Sequence, residues 1–367
     1  PRAIAKLSEG LRHNPGDFAL RRLYADLLKE QRKFEQARTE LLTLVSQQPL
    51  DQTCWEDLMI VQDALLLTQE AELARGALTV IGGGTEQQKA TWRARLARFG
   101  QVPALALHQQ LLTEALPEPV ANEAFALLEQ LGPLAGKVFV PELLEFNVSQ
   151  RSKVGPRGSH PLRPVVDRVC QCLGGIEVDL YVSDSAPRAG IVLTDPLGLV
   201  LPAALQNLSE AEQVFVVTRC LVSAARRSEV VDALDLDTLR LLFFASSRLV
   251  DPSALPADVN DKELSDVTRR LSKALPWLSR GRIEDAARRF TATSTDVARL
   301  KRTLTEASYR VALVFCDDLG MVERMLKGPV DSLGLTEHQA QHLAKHLLAY
   351  WLSPAAMSLR RAIGLSQ

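Results

Sequence analysis

Apolar and small residues recur at a fixed interval along the first 83 residues of the chain. Ala37, Leu41 and Leu44 stand 12, 8 and 5 positions before Pro49. A shift of 34 residues puts Ala71, Arg75 and Leu78 in the same places, with Trp55 and Leu58 in the first helix of that unit. The reverse shift fits Ala3, Leu7 and Pro15 to the tail of an earlier unit. The pattern predicts helix–turn–helix units stacked as a solenoid over residues 1–83. Small residues at Ala25, Ala37 and Ala71 let paired helices approach, and Leu41, Leu44, Trp55 and Leu58 fill the space between them.

After Gly82, Gly83 and Gly84 the helical period continues over 85–99 and 101–116, marked by Trp92, Leu96, Leu105 and Leu112. The small and proline positions fade there, so residues 84–146 read as divergent or capping helices, which a solenoid needs at its end. Another helix is predicted at 120–131, and 138–146 fits either a strand or a short helix. Residues 147–161 are rich in Gly, Pro, Ser and basic side chains and lack apolar period, so a linker and domain boundary are expected there.

The second half opens with a helix at 162–173. Residues 176–182 alternate strictly and predict a half-buried strand. Residues 190–194 and 199–201 are shorter strand candidates, with Pro196 and Gly198 as turn residues. Ser209 and Glu212 form a capping box ahead of a strongly apolar helix. Helices are then predicted at 236–250, 262–275, 282–292, 295–326, 336–351 and 354–363. Thr336 with Gln339 is a second capping box, and Ser353 with Pro354 is an N-cap followed by proline at the first helical position. The expected fold class is mainly α: an N-terminal α-solenoid over 1–83, then, past the linker, a helix-rich α+β domain with a small sheet over 162–367.

Composition narrows the function classes. Forty-three basic residues against 44 acidic give a net charge of −1, so nothing global attracts nucleic acid or an anionic membrane. No apolar run reaches the length of a membrane span. The five cysteines, Cys54, Cys170, Cys172, Cys220 and Cys316, are odd in number and fall mostly on apolar helix faces. They read as core thiols of a reducing compartment, and a cytoplasmic protein is expected. The chain starts inside a repeat-like helix, so Pro1 is expected to be a boundary within a longer sequence; an upstream targeting signal stays open.

A 34-residue helical period with small, large and proline positions in this order is similar to the tetratricopeptide repeat. In that family the first helix of each pair lines a concave groove. The resemblance implies groove positions at Ala19, Arg22, Asp26 and Lys29 in the first full unit and at Thr53, Glu56, Ile60 and Asp63 in the second. It lacks the run of Lys and Asn that clamps a C-terminal carboxylate in the chaperone-binding members. A protein segment of mixed charge with one apolar anchor near Ile60 is the expected partner. The alternative is that two units make too shallow a groove and this face covers the second domain.

Residues 176–227 resemble the gluzincin-type zinc metallopeptidases in the order of strand, turn, strand and capped helix. The metal-binding stretch of that family falls here on Arg219, Cys220, Leu221, Val222 and Ser223. Both histidines and the catalytic glutamate are absent, so the resemblance implies a scaffold without the chemistry. A catalytic zinc needs three N or O ligands and a carboxylate to take the water's proton. The plainer expectation is a buried helix with one exposed arginine.

His338, His342 and His346 recur every fourth residue on one predicted helix, and His338 with His342 has the zincin spacing. Gln339 stands where the base belongs, so a polar helix face is expected and the pair remains a weak metal candidate. The glycines at 82–84 lack the Lys-Ser/Thr of a phosphate loop and read as a junction turn. Arg280, Arg282, Arg288, Arg289, Arg299, Lys301 and Arg302 alternate with acids and read as a solvated face rather than a nucleic-acid stripe. The expected function is a non-catalytic interaction scaffold with protein partners, no cofactor and no nucleic acid. The alternatives are a metal-dependent hydrolase with an unrecognised site, or a regulatory or structural subunit of a larger complex.

Overall fold

The protein is described by a computed structural model that places residues 2–95, 102–103, 109–139, 143–156, 158–253, 259–293 and 295–365. It divides into two compact units. One is Pro1–Gln101 with Cys316–Val330 and Leu335–Gln367; the other is Val102–Phe315 with Asp331–Gly334. This division does not follow the expected boundary at 147–161, and the expected domain 162–367 is shared between the two units.

Unit 1 begins with α1 (Arg2–His13), α2 (Phe18–Glu30), α3 (Phe34–Gln47), α4 (Gln52–Ala64), α5 (Thr68–Val80) and α6 (Glu86–Arg93). The 34-residue shift holds in the backbone. The Asp17 carboxylate accepts from the Leu20 N–H at 2.9 Å, and Asp51 does the same for Cys54 at 3.0 Å, so each first helix has its own N-cap. Between the paired helices Arg32 and Leu66 both take a left-handed φ, 55° and 60°. One period further on, Thr85 caps α6 in a capping box with Gln88, and Trp92 is buried at the place Leu58 holds in the preceding unit. The repeat therefore runs one first helix beyond residue 83. Leu96 and Leu105 lie outside the described residues.

The rest of unit 1 comes from the far end of the sequence: α16 (Gly320–Lys327), α17 (Glu337–Trp351) and α18 (Pro354–Ala362). α17 packs on α3 and α5, and α16 on α5. These are the second helices of their pairs, whose apolar residues Leu41, Leu44 and Leu73 are buried. A few repeats cannot cover that side alone, and α17 supplies the complementary apolar face through Ala340, Ala344, Leu347 and Trp351. The Trp351 indole N–H donates to the Leu73 carbonyl at 2.9 Å, and the Gln69 amide to the Leu365 carbonyl at 2.7 Å.

Unit 2 carries the sheet. Its strands are β1 (Lys153–Val154), β2 (Val178–Ser183), β3 (Gly190–Val192) and β4 (Leu197–Pro202), in the order β1-β2-β4-β3. β2 and β4 run parallel, with Leu180 opposite Leu199; β1 and β3 are antiparallel to their neighbours. β1 lies inside the expected linker: its two residues pair with Tyr181 and Leu180, so this stretch is part of the sheet rather than a tether. Gly198, expected in a turn, is in β4, and the turn falls at 194–196.

Helices complete unit 2: α7 (Gln109–Glu114), α8 (Asn122–Val138), α9 (Arg163–Cys172), α10 (Glu210–Ala225), α11 (Glu229–Ala233), α12 (Leu236–Arg248), α13 (Asp261–Ala274), α14 (Arg280–Thr291) and α15 (Val297–Cys316). Of residues 138–146, left open between strand and helix, Val138 ends α8, 140–142 lie outside the described residues, and Leu143–Phe146 form a turn of 3₁₀ helix. α8, α12, α13 and α14 build the main core through Leu127, Leu131, Leu264 and the Phe243–Phe290 pair, whose rings are 4.8 Å apart. The single helix expected over 295–326 is two, because the chain leaves helical geometry at Asp317 with φ 50°.

Candidate interaction surface

The first helices α2 and α4 present the positions expected to meet a partner. Ala19, Thr53, Glu56, Ile60 and Asp63 are exposed, and Arg22, Asp26 and Lys29 are half-buried. The half-buried three form a network that their spacing alone does not show. Asp57 sits at its centre: it pairs with the Arg22 guanidinium and with Lys29 Nζ at 2.5 Å. Asp26 also reaches both cations, at 3.5 Å from Arg22 and 3.1 Å from Lys29. Arg22 further donates to Cys54 Sγ at 3.2 Å. Burial nevertheless pushes that thiol up to about 11, so it is a neutral acceptor. Two cations thus face two carboxylates across adjacent repeats.

Two apolar side chains on the same helices remain in water: Leu23 is 52 % exposed and Ile60 51 %. Leu23, like Asp57, is not among the expected groove positions. Its signal was present in the sequence, since a leucine beside Arg22 falls off the apolar stripe of α2. Asp63 lies 3.8 Å from Arg75, and Glu56 makes no ion pair among the described residues.

The first 59 residues match a family model of the tetratricopeptide repeat. No curated protein and no solved structure matches the chain. The tetratricopeptide model thus covers α1, α2, α3 and the first half of α4, and the third cap at Thr85 extends the same geometry past it. The metallopeptidase resemblance has no support from these comparisons.

The strands and the capped helix of that resemblance do exist. Ser209 and Glu212 make the capping box of α10, with the Glu212 carboxylate accepting from the Ser209 N–H at 2.9 Å. Cys220, Leu221, Val222 and Ser223 are buried. Arg219 corrects the expectation of an exposed arginine: its side chain is 15 % exposed, lies 5.1 Å over the Tyr309 ring and 3.6 Å from Asp232. α10 is apolar on nearly every side, so even this cation is turned inward to a carboxylate and an aromatic face. Among the described residues no three His, Cys, Asp or Glu side chains converge as a metal site. His342 and His346 lie with ring centroids 4.4 Å apart and planes tilted by 54°, so the histidine contact seen is this pair rather than His338 with His342. None of the five cysteines is in a disulfide, and all are buried.

Unit 2 also has an open cleft of about 770 Å³ lined by Gly132, Gly136, Tyr181, Asp195 and Glu229, among others. Burial raises the Glu229 carboxyl above its ordinary value. A Cβ at Gly136 would meet the Leu193 carbonyl oxygen at 2.2 Å, so this wall of α8 must be bare backbone. No nucleophile hydrogen-bonded to a base lines the cleft among the described residues.

Proposed function

We propose that this protein is a non-catalytic interaction scaffold, and that the outer face of α2 and α4 receives a protein segment of mixed charge carrying one apolar anchor. The observation that carries the reading is that Leu23 and Ile60 stand in water on α2 and α4, the two helices that share the Arg22–Asp26–Lys29–Asp57 network. An exposed aliphatic beside pre-organised charges supplies affinity, and the charges set register. Tetratricopeptide repeats are protein-interaction modules, and the family match lies over this stretch. The C-terminal helices pack on the second helices α3 and α5, while Leu23 and Ile60 on the first helices stay exposed. The internal pairing also means that a partner must exchange existing ion pairs for new ones, which favours a charged segment over a purely apolar one.

A peptide-display library panned on the full chain tests the proposal. Enriched peptides should combine acidic and basic residues around one large apolar side chain. They should lose binding roughly tenfold or more, at about 1.4 kcal/mol per decade, to Leu23→Asp and Ile60→Asp, while the variants melt with the wild type. Peptides that bind both variants as tightly as the wild type would place the binding surface elsewhere.

A further inference from the structure

Four tryptophans occur in the chain. Trp55, Trp92 and Trp351 are buried, whereas Trp277 is 83 % exposed and its neighbour Leu278 71 %. These two stand on the connector between α13 and α14. The connector is not slack: the Ser279 N–H donates to the Pro276 carbonyl at 3.0 Å and closes a turn, and Pro276 restricts the backbone at its start. Both flanking helices are fixed in the core, α13 by Leu264 and Leu271 and α14 by Ile283 and Phe290. A rigid turn therefore holds an indole and an isobutyl group out in water.

The side chains that flank this tip carry unanswered positive charge. From Arg269 to Arg289 there are seven basic side chains and two acidic ones; Arg269 and Arg270 are answered by Asp266 and Arg288 and Arg289 by Asp285, which leaves the basic excess on the residues nearest the tip. Lys273 is in the last turn of α13. Arg280 and Arg282 open α14, which has no acid in its first turn. Cations at a helix N-terminus oppose the helix dipole, so helix stability does not account for them. Arg280 is paired with Glu284 at 2.8 Å; Lys273 and Arg282 carry no ion pair among the described residues.

We propose that Trp277 and Leu278 form a docking tip that enters the headgroup layer of an anionic lipid bilayer, with Lys273, Arg280 and Arg282 against the lipid phosphates and carboxylates. Trp is the side chain best suited to that layer, because its ring is apolar and its N–H stays hydrated. Basic residues next to an inserted apolar pair add attraction to anionic lipid. Two protruding side chains fall well short of the roughly 800 Å² per partner of a standard protein interface, whereas a bilayer moulds itself around a small convex tip. Strand-stacking on nucleic acid would want several aromatics along the basic track, and Phe290 is buried.

The experiment uses the full chain with phosphatidylcholine vesicles, with and without phosphatidylserine. Because the other three tryptophans are buried, iodide or acrylamide quenching reports mainly on Trp277. The expected result is co-sedimentation with serine-lipid vesicles, a blue shift and protection of Trp277 from quencher, and loss of all three in high salt. Trp277→Ala with Leu278→Ser should weaken sedimentation by roughly tenfold or more without shifting the melting temperature; Lys273→Glu with Arg282→Glu should abolish the preference for serine lipid while Trp277 still reports. Equal sedimentation with both vesicle types, sedimentation unaffected by the tip substitutions, or protection of Trp277 by a single-stranded oligonucleotide but not by vesicles would each overturn the proposal.

Discussion

Arg360 is a cation with no exposed surface, and unit 1 depends on how its charge is answered. Its guanidinium lies 4.0 Å over the Trp351 ring, donates to the Trp351 carbonyl at 2.7 Å and sits 3.5 Å from Asp317. Asp317 is shared with Arg95, which also reaches Glu72 at 3.2 Å. Burial pulls the Arg360 guanidinium below its ordinary value while Asp317 holds it charged. Removing one member of such a set leaves the others desolvated and unbalanced. Arg360→Ala should therefore cost roughly 3 kcal/mol or more, and Arg360→Met less, because it keeps the packing on Trp351. Urea midpoints followed by far-ultraviolet ellipticity decide it; equal midpoints for wild type and Arg360→Ala would show that the pair contributes nothing net. Glu118 offers the pH counterpart at the surface of unit 2. Hydrogen bonds from Arg299 and Thr303 hold its carboxyl down at about 2. A carboxyl more acidic in the folded chain than in the unfolded one stabilises above the ordinary carboxylate range. That contribution should fade as pH falls from about 4.5 toward 2. Urea midpoints measured across that window should fall less steeply in Glu118→Gln than in the wild type.

Among the elements, α5 and α6 show how the repeat tolerates a departure from its own pattern. Trp92 takes the place that Leu58 holds one unit earlier, and Gly76 on α5 makes the room for it. A Cβ at Gly76 would stand 2.6 Å from the indole ring. Alanine gains about 1 kcal/mol of helix propensity over glycine, but overpacking costs about 1–3 kcal/mol, and a ring wedged between helices has little freedom to yield. Gly76→Ala should lower the melting temperature, and adding Trp92→Leu should recover most of the loss. A Gly76→Ala variant that melts higher would show that the ring moves aside. Most element ends could be read from the sequence for the same local reason. Ser209, Thr336 and Ser353 announce their helices by chemistry that acts within three residues. β1 could not be read, because two residues carry no period and their neighbours look like a tether. The network on α2 and α4 was half legible: Arg22, Asp26 and Lys29 are groove positions that the repeat resemblance implies, but Asp57 joins them from the next repeat.

At the scale of the molecule, unit 1 is assembled from the two ends of the sequence and unit 2 from the stretch between them. Local pattern cannot show this, because an apolar stripe on α17 states that the helix is covered and not by what. The contacts name the cover: Trp351 to Leu73, Gln69 to Leu365, and Arg95 to Asp317. Each ties a residue of the first 101 to one beyond 315. The tetratricopeptide helices are therefore not a free-standing array, and their second helices would expose Leu41, Leu44 and Leu73 if the chain ended early. A chain cut after Phe315 should lose more helical ellipticity than α16, α17 and α18 account for, and should gain dye-binding apolar surface. The excised stretch 102–315 holds its own core around α8 and its own sheet, and should melt cooperatively alone. Supplying 316–367 in trans to the shortened chain should restore part of the lost ellipticity, since the complementary faces remain. Were residues 1–101 to fold fully without that segment, the C-terminal helices would be a passenger on the repeats, and the buried Arg95–Asp317–Arg360 set would have no role in holding them.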